Sequence, residues 1–121
     1  MQAKWLKGNI AYTLSKYGMS MCVMGMAEEF RADHIAVNAL WPKTTIATSA
    51  VKINFPDEIL QASRKDTIVA DAAALIITQD AQSVTGEFFI DEDVLRASGV
   101  TDFSAYDFGQ TKPLYPDFYI E

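Results

Sequence analysis

One cysteine and one histidine occur in 121 residues, and each scarcity closes off a class of function. Cys22 alone makes neither an internal disulfide nor a cysteine-based zinc site. No metal is expected, and the default setting is reducing and cytoplasmic. Around His34 no titratable residue is arranged to orient the ring, so it reads as an exposed loop residue rather than a base. Positive charge is also short: 10 Lys and Arg stand against 16 Asp and Glu, for a formal charge of −6. No basic run interleaves with aromatics, which argues against a nucleic-acid partner. Long hydrophobic runs are missing too. The most apolar stretch, residues 19–27, is far shorter than the roughly 20 residues a membrane helix needs. The first eight residues have no apolar signal core and the last four no lipidation box, so no membrane role is expected.

What is present is a globular composition, half hydrophobic and about a fifth charged, enough for one small domain. The first seven residues read as a loop. Asn9 is a fair N-cap for a helix over 10–30. That helix carries a stripe of small side chains (Ala11, Ser15, Gly18, Cys22, Gly25) and bulkier Leu14, Tyr17, Met21 and Met24, which suit a core or a subunit interface. Residues 34–41, β-branched and apolar and ended by Pro42, read as a buried parallel strand. Residues 43–55 form a Thr- and Ser-rich loop. Short helices follow over 56–64 and 68–78, the second capped by Asp66 or Thr67. Residues 86–91 read as a second strand and 92–97 as one or two helical turns. The rest is an irregular tail packing through Phe103, Tyr106, Phe108, Tyr115 and Phe118. Asp91, Glu92 and Asp93 read as a solvated strand end, because they lack the alternating ligands of a calcium loop. Two strands joined by a helical crossover indicate a right-handed βαβ unit. A two-stranded parallel sheet cannot cover its own faces, so the unit is incomplete as a stand-alone domain.

Within the first helix, Tyr12 and Lys16 lie four apart and share a face, about 6 Å along the axis. An ammonium beside a phenol favours the phenolate and suits proton transfer. The spacing alone is common on helices, and a solvated lysine beside a half-buried aromatic fits it equally.

The run Tyr12-Thr13-Leu14-Ser15-Lys16 resembles the Tyr-x-x-x-Lys motif of the short-chain dehydrogenase/reductases. The likeness continues through Ala27-Glu28-Glu29-Phe30, through Ile35-Ala36-Val37-Asn38-Ala39-Leu40-Trp41-Pro42, which is similar to the family's sixth strand, and through Thr85-Gly86-Glu87-Phe88-Phe89-Ile90-Asp91, similar to its last. Leu40 to Thr44, Ile90 to Glu92 and Pro116-Asp117-Phe118 are closest to a hydroxysteroid dehydrogenase-like subgroup. The resemblance implies an α/β fold, the C-terminal part of a Rossmann-type doubly wound parallel sheet with a long catalytic helix, two strands and crossover helices. Residues 1–121 would be a single partial domain, with 9–91 the Rossmann-like segment and 92–121 a C-terminal extension.

The resemblance also implies roles. Tyr12 would be the acid/base, and Lys16 would hold the nicotinamide ribose and lower the Tyr12 pKa. Pro42, Ile46 and Thr48 would line the cofactor, NAD or NADP, with a backbone group near Ile46 facing the carboxamide. Residues 49–65 would form a mobile lid. The substrate would be a small carbonyl or secondary alcohol, and the protein a homo-oligomer or one dependent on an N-terminal half. Two departures stand out. Lys43 occupies the place where the family has glycine, either as a solvated loop residue or as a reader of a negative group. No Gly-x-x-x-Gly-x-Gly occurs, and the catalytic serine and the upstream asparagine of the family have no counterparts; Asn38 lies in the strand. The chain alone is therefore expected to be inactive and to bind dinucleotide weakly. The alternative is a non-catalytic module for self-association or partner binding.

Overall fold

The computed structural model describes residues 2–120, which gather into two compact units. One unit runs to residue 39 and adds 79–88; the other comprises 40–78 and continues from 89.

The first unit begins with a four-residue helix, α1 (Ala3–Leu6), where the sequence reads as a loop. Its partner explains it. The Thr13 hydroxyl, buried on the long helix α2 (Ile10–Glu29), donates to the Trp5 carbonyl at 2.6 Å and fastens one helix to the other. That tertiary bond ties down a helix too short to be stable alone. Asn9 sits at the N-cap position but makes no side-chain cap; its amide instead donates to the Lys7 carbonyl. The helix ends in a short 3-10 turn (Arg31–Asp33), and His34 closes it in the left-handed region at φ 59°. His34 is exposed, as expected of a loop residue.

Only Thr13 and Ala27 of α2 are buried. The stripe of small residues does not receive another backbone: a Cβ added at Gly18 or Gly25 would meet nothing within 4 Å. The close approach falls elsewhere. Gly86, at φ +81°, sits so that a Cβ there would lie 3.4 Å from that of Ala27. The positive φ is what calls for glycine, since a Cβ at that distance would make an ordinary contact. Asn38 is a strand clamp: its side-chain amide donates to the Val84 carbonyl and its oxygen accepts from the Glu87 N–H.

The strands are shorter than the sequence suggests. β1 covers Ala39–Trp41 and β2 Phe88–Ile90, and they form a two-stranded sheet. Hydrogen bonds from Gly86 N–H to Val37 and from Ala39 N–H to Glu87 climb both strands in one direction, so the pairing is parallel. The flanking residues extend without a regular ladder because Asn38 and Thr85 side chains take up backbone groups there.

In the second unit, residues 43–55 are not all loop. Thr48 caps a helix, α3 (Ser49–Asn54), by accepting from the Val51 N–H. α4 (Asp57–Gln61), α5 (Thr67–Ile77) and α6 (Asp91–Ala97) follow. The core gathers Ile68 and Ala72 of α5, Leu95 of α6 and Phe103 of the tail, with Leu40 and Ile46 packed against it. The tail is thus part of the core at Phe103, while Phe108 and Tyr115 stay about half exposed. Tyr119 meets the Trp41 ring edge-on at 5.4 Å between centroids.

Candidate active site

The structure brings the sequence-selected residues together in two groups, one in each unit. Tyr12 and Lys16 occupy successive turns of α2, and the Lys16 ammonium lies 5.6 Å from the Tyr12 ring centroid. A cation at that range is held by the ring quadrupole. Tyr12 is 51% exposed. The pair can exchange a proton with a bound oxygen and keep a positive charge beside it.

Pro42, Ile46 and Thr48 lie on the loop after β1. The backbone on either side of Ile46 is bound to one residue: the Arg64 N–H donates to the Thr45 carbonyl at 2.9 Å, and the Ala47 N–H donates to the Arg64 carbonyl at 2.8 Å. This is a parallel bridge between Ile46 and Arg64. In such a bridge the N–H and C=O of the bracketed residue point to the opposite edge. Ile46 therefore presents both groups away from Arg64, and the Thr48 N–H reaches its carbonyl at 2.7 Å. The C-terminal tail holds the start of the loop through an antiparallel bridge of Thr44 to Pro116, with Thr45 N–H donating to Tyr115 and Asp117 N–H to Lys43. The Thr45 and Ser63 hydroxyls meet at 2.7 Å. The expected lid over 49–65 is anchored at its far end, where Leu60, Ala62, Ser63 and Arg64 are buried.

The acidic cluster departs most from the sequence reading. Asp91 and Glu92 are 1% and 5% exposed, not a solvated strand end. Three acidic residues fill the first turn of α6, where they complement the helix dipole. Their partners come from far along the chain, so the composition gave no sign of them. One Asp91 oxygen accepts from the backbone N–H groups of Lys43 and Glu92. Its other oxygen has no hydrogen-bond partner among the described residues. Burial raises the Asp91 pKa, against the opposing effect of those two N–H groups.

Glu92 is also pushed upward by burial, but the hydrogen bond and charge of Arg64 outweigh this and hold it below the ordinary value. Its Oε1 accepts from Arg64 Nε at 3.1 Å and from Nη2. Its Oε2 lies 3.4 Å from the Lys43 ammonium and 3.3 Å from Arg96 Nη2. Lys43 is therefore not simply solvated: its ammonium is tied to Glu92 and, at 3.3 Å, to Asp93. Arg64 was not singled out by any motif, and its neighbours Ser63, Lys65 and Asp66 give no local sign that it is buried. Among the described residues, no group of three or more His, Cys, Asp or Glu could hold a metal ion, and no helix is long and apolar enough to cross a membrane.

No family model matches the chain. Over 117 residues, 97% of its length, it is 52% identical to hydroxysteroid dehydrogenase-like protein 2 of Danio rerio and 49% identical to that of Homo sapiens. It spans only 28% of the length of each of these curated relatives. Among solved structures, all of the chain superposes on a Xanthomonas campestris protein described as a dehydrogenase, with TM-score 0.91, 39% identity and 44% of that chain covered. A short-chain dehydrogenase from Mycobacterium thermoresistibile gives TM-score 0.85 at 41% identity, with 43% of that chain covered.

Proposed function

We propose, for a chain homologous to hydroxysteroid dehydrogenase-like protein 2 and folded as the C-terminal portion of a short-chain dehydrogenase, that it carries the proton-transfer part of an NAD(P)-dependent oxidoreductase site. The reaction interconverts a small carbonyl compound and a secondary alcohol. The observation that carries this reading is the Tyr12–Lys16 pair, with Tyr12 half exposed and the Lys16 ammonium 5.6 Å from its ring.

Each unit, taken by itself, offers groups of the kind that suit the nicotinamide end of such a cofactor. Lys16 supplies a donor and positive charge for a ribose hydroxyl. The outward N–H and C=O of Ile46 match the acceptor and donor of a carboxamide, with Pro42 and Thr48 flanking that position. When bound, the nicotinamide supplies or accepts the hydride at the substrate carbon. In the reducing direction, Tyr12 gives its proton to the carbonyl oxygen as the carbon becomes tetrahedral; in the oxidising direction it takes that proton back. Lys16 stabilises the phenolate left after donation. No Gly-x-x-x-Gly-x-Gly turn occurs in the 121 residues, so the pyrophosphate would be held by residues other than these. The same reading assigns the protein to the cytoplasm, on the strength of a single cysteine.

Turnover of the complete gene product tests this. Tyr12→Phe should lower kcat by about 10²-fold or more while leaving cofactor affinity nearly unchanged. A variant as active as the parent would remove Tyr12 from the mechanism.

A second reading, self-association through α2, is favoured by Leu14, Met19, Met21 and Met24, each more than half exposed. Sedimentation equilibrium distinguishes it: a dimer abolished by Met21→Lys supports association through this helix, and a monomeric parent chain excludes it.

A further inference from the structure

We propose that Arg64 is the positioning residue of the nicotinamide-side loop, setting the direction of the Ile46 N–H and C=O through one bridge while its guanidinium locks that bridge to α6 and to the tail. The inference rests on the role proposed above for Ile46.

Three features of one residue carry it. The Arg64 backbone brackets Ile46 on both sides, at Thr45 and at Ala47, so a shift of Arg64 shifts Ile46 with it. Its side chain is buried, with the residue 6% exposed, and spreads in two directions. Nε and Nη2 reach Glu92 on α6, and Nη1 donates to the Phe103 carbonyl at 3.0 Å and to Asp107 at 3.1 Å. The same Glu92 carboxylate holds Lys43 at the start of the loop. One carboxylate thus steadies the loop at Lys43 directly and at Ile46 by way of Arg64. A planar guanidinium can satisfy all these acceptors at once, whereas an ammonium is a compact donor on a flexible stem. A buried charge with unmet partners is costly, so the arrangement has few alternatives. Packing alone would be served by an apolar side chain of similar size.

The test uses Arg64→Lys in the complete gene product, with Asp107→Asn as a milder variant should the first fail to fold. Three readouts are compared: kcat, the affinity for the reduced dinucleotide, and the affinity for ADP-ribose, which lacks the nicotinamide. Arg64→Lys should lower kcat by roughly tenfold to a hundredfold, as expected of a reacting group displaced by an ångström or less. ADP-ribose affinity should stay within about twofold, because only the nicotinamide side has moved. Asp107→Asn should act in the same direction but less. Equal loss of affinity for both ligands would mean general structural damage and overturn the proposal, as would unchanged kcat.

Amide exchange on the present chain separates failure of this inference from failure of the function. Arg64→Lys, or Asp107→Asn, should speed exchange at Ala47 and Arg64 well beyond that at Ala39, whose N–H is bonded to the Glu87 carbonyl. If the complete gene product binds no dinucleotide, the oxidoreductase reading fails and this role with it. If dinucleotide binds and Ala47 exchanges at the parent rate in the variants, only the positioning role fails.

Discussion

Glu92 shows how a single carboxylate can govern stability as well as geometry. It faces Arg64, Lys43 and Arg96, and its pKa is held below the ordinary 4.5 by Arg64 despite burial. A depressed folded-state pKa contributes stability above the unfolded value and loses it as pH falls through the folded one. Glu92→Gln leaves Arg64 buried with Asp107 as its remaining carboxylate, and should cost about 3 kcal/mol at neutral pH. The difference between parent and variant should shrink progressively as the pH falls below the ordinary carboxylate range. Urea unfolding followed at neutral and acidic pH checks both sign and trend. A cost that stays constant down to strongly acidic pH would show that Glu92 acts by shape rather than charge. Asp91 works in the opposite sense: its pKa is raised, so the stability due to its protonated form is present in acid and lost as pH rises through the folded value.

At the scale of elements, one side chain ties α1 to α2. Thr13→Val keeps nearly the same volume but removes the donor to the Trp5 carbonyl. That should destabilise α1 by about 1 kcal/mol, the net worth of a typical hydrogen bond. Amide exchange should accelerate at Lys7, whose N–H bonds back to Ala3, with little change in α5. Unchanged exchange at Lys7 would show α1 to be held by other contacts. The tail is fastened differently, by approach of backbone to backbone. A Cβ at Gly109 would collide with the Gln61 carbonyl oxygen. Loop position 109 therefore allows no larger residue without displacing the tail from the end of α4.

At the scale of the whole molecule, the notable property is apolar surface. α2 is a 20-residue helix with two buried residues, and Ile10, Leu14, Met21 and Met24 are all more than 60% exposed. Contiguous apolar exposure of this kind is what the self-association reading proposed above rests on. The chain by itself should show no micromolar binding of NAD(H) or NADP(H) in isothermal titration. Tight binding with stoichiometry near one would mean that the pyrophosphate is held by residues other than a glycine-rich turn.

The long helix, the two strands and their parallel sense were legible in the sequence because they rest on local signals: the Pro42 stop, β-branched runs and crossover length. So was the Tyr12–Lys16 pair, since four residues on a helix bring two side chains together whatever the rest of the chain does. The strand ends were less legible, because Asn38 and Thr85 divert backbone groups that a regular ladder would use. The sequence could not reveal that Asp91 and Glu92 are buried, that Lys43 is tied to α6, or that Arg64 brackets Ile46. Those contacts join residues 28 to 50 positions apart, or run through a backbone bridge with no side-chain signature. Local periodicity determined that Tyr12 and Lys16 share one face of α2. Only tertiary structure decided how the loop beside Ile46 is held, because a buried charge finds its partners in space and not in sequence.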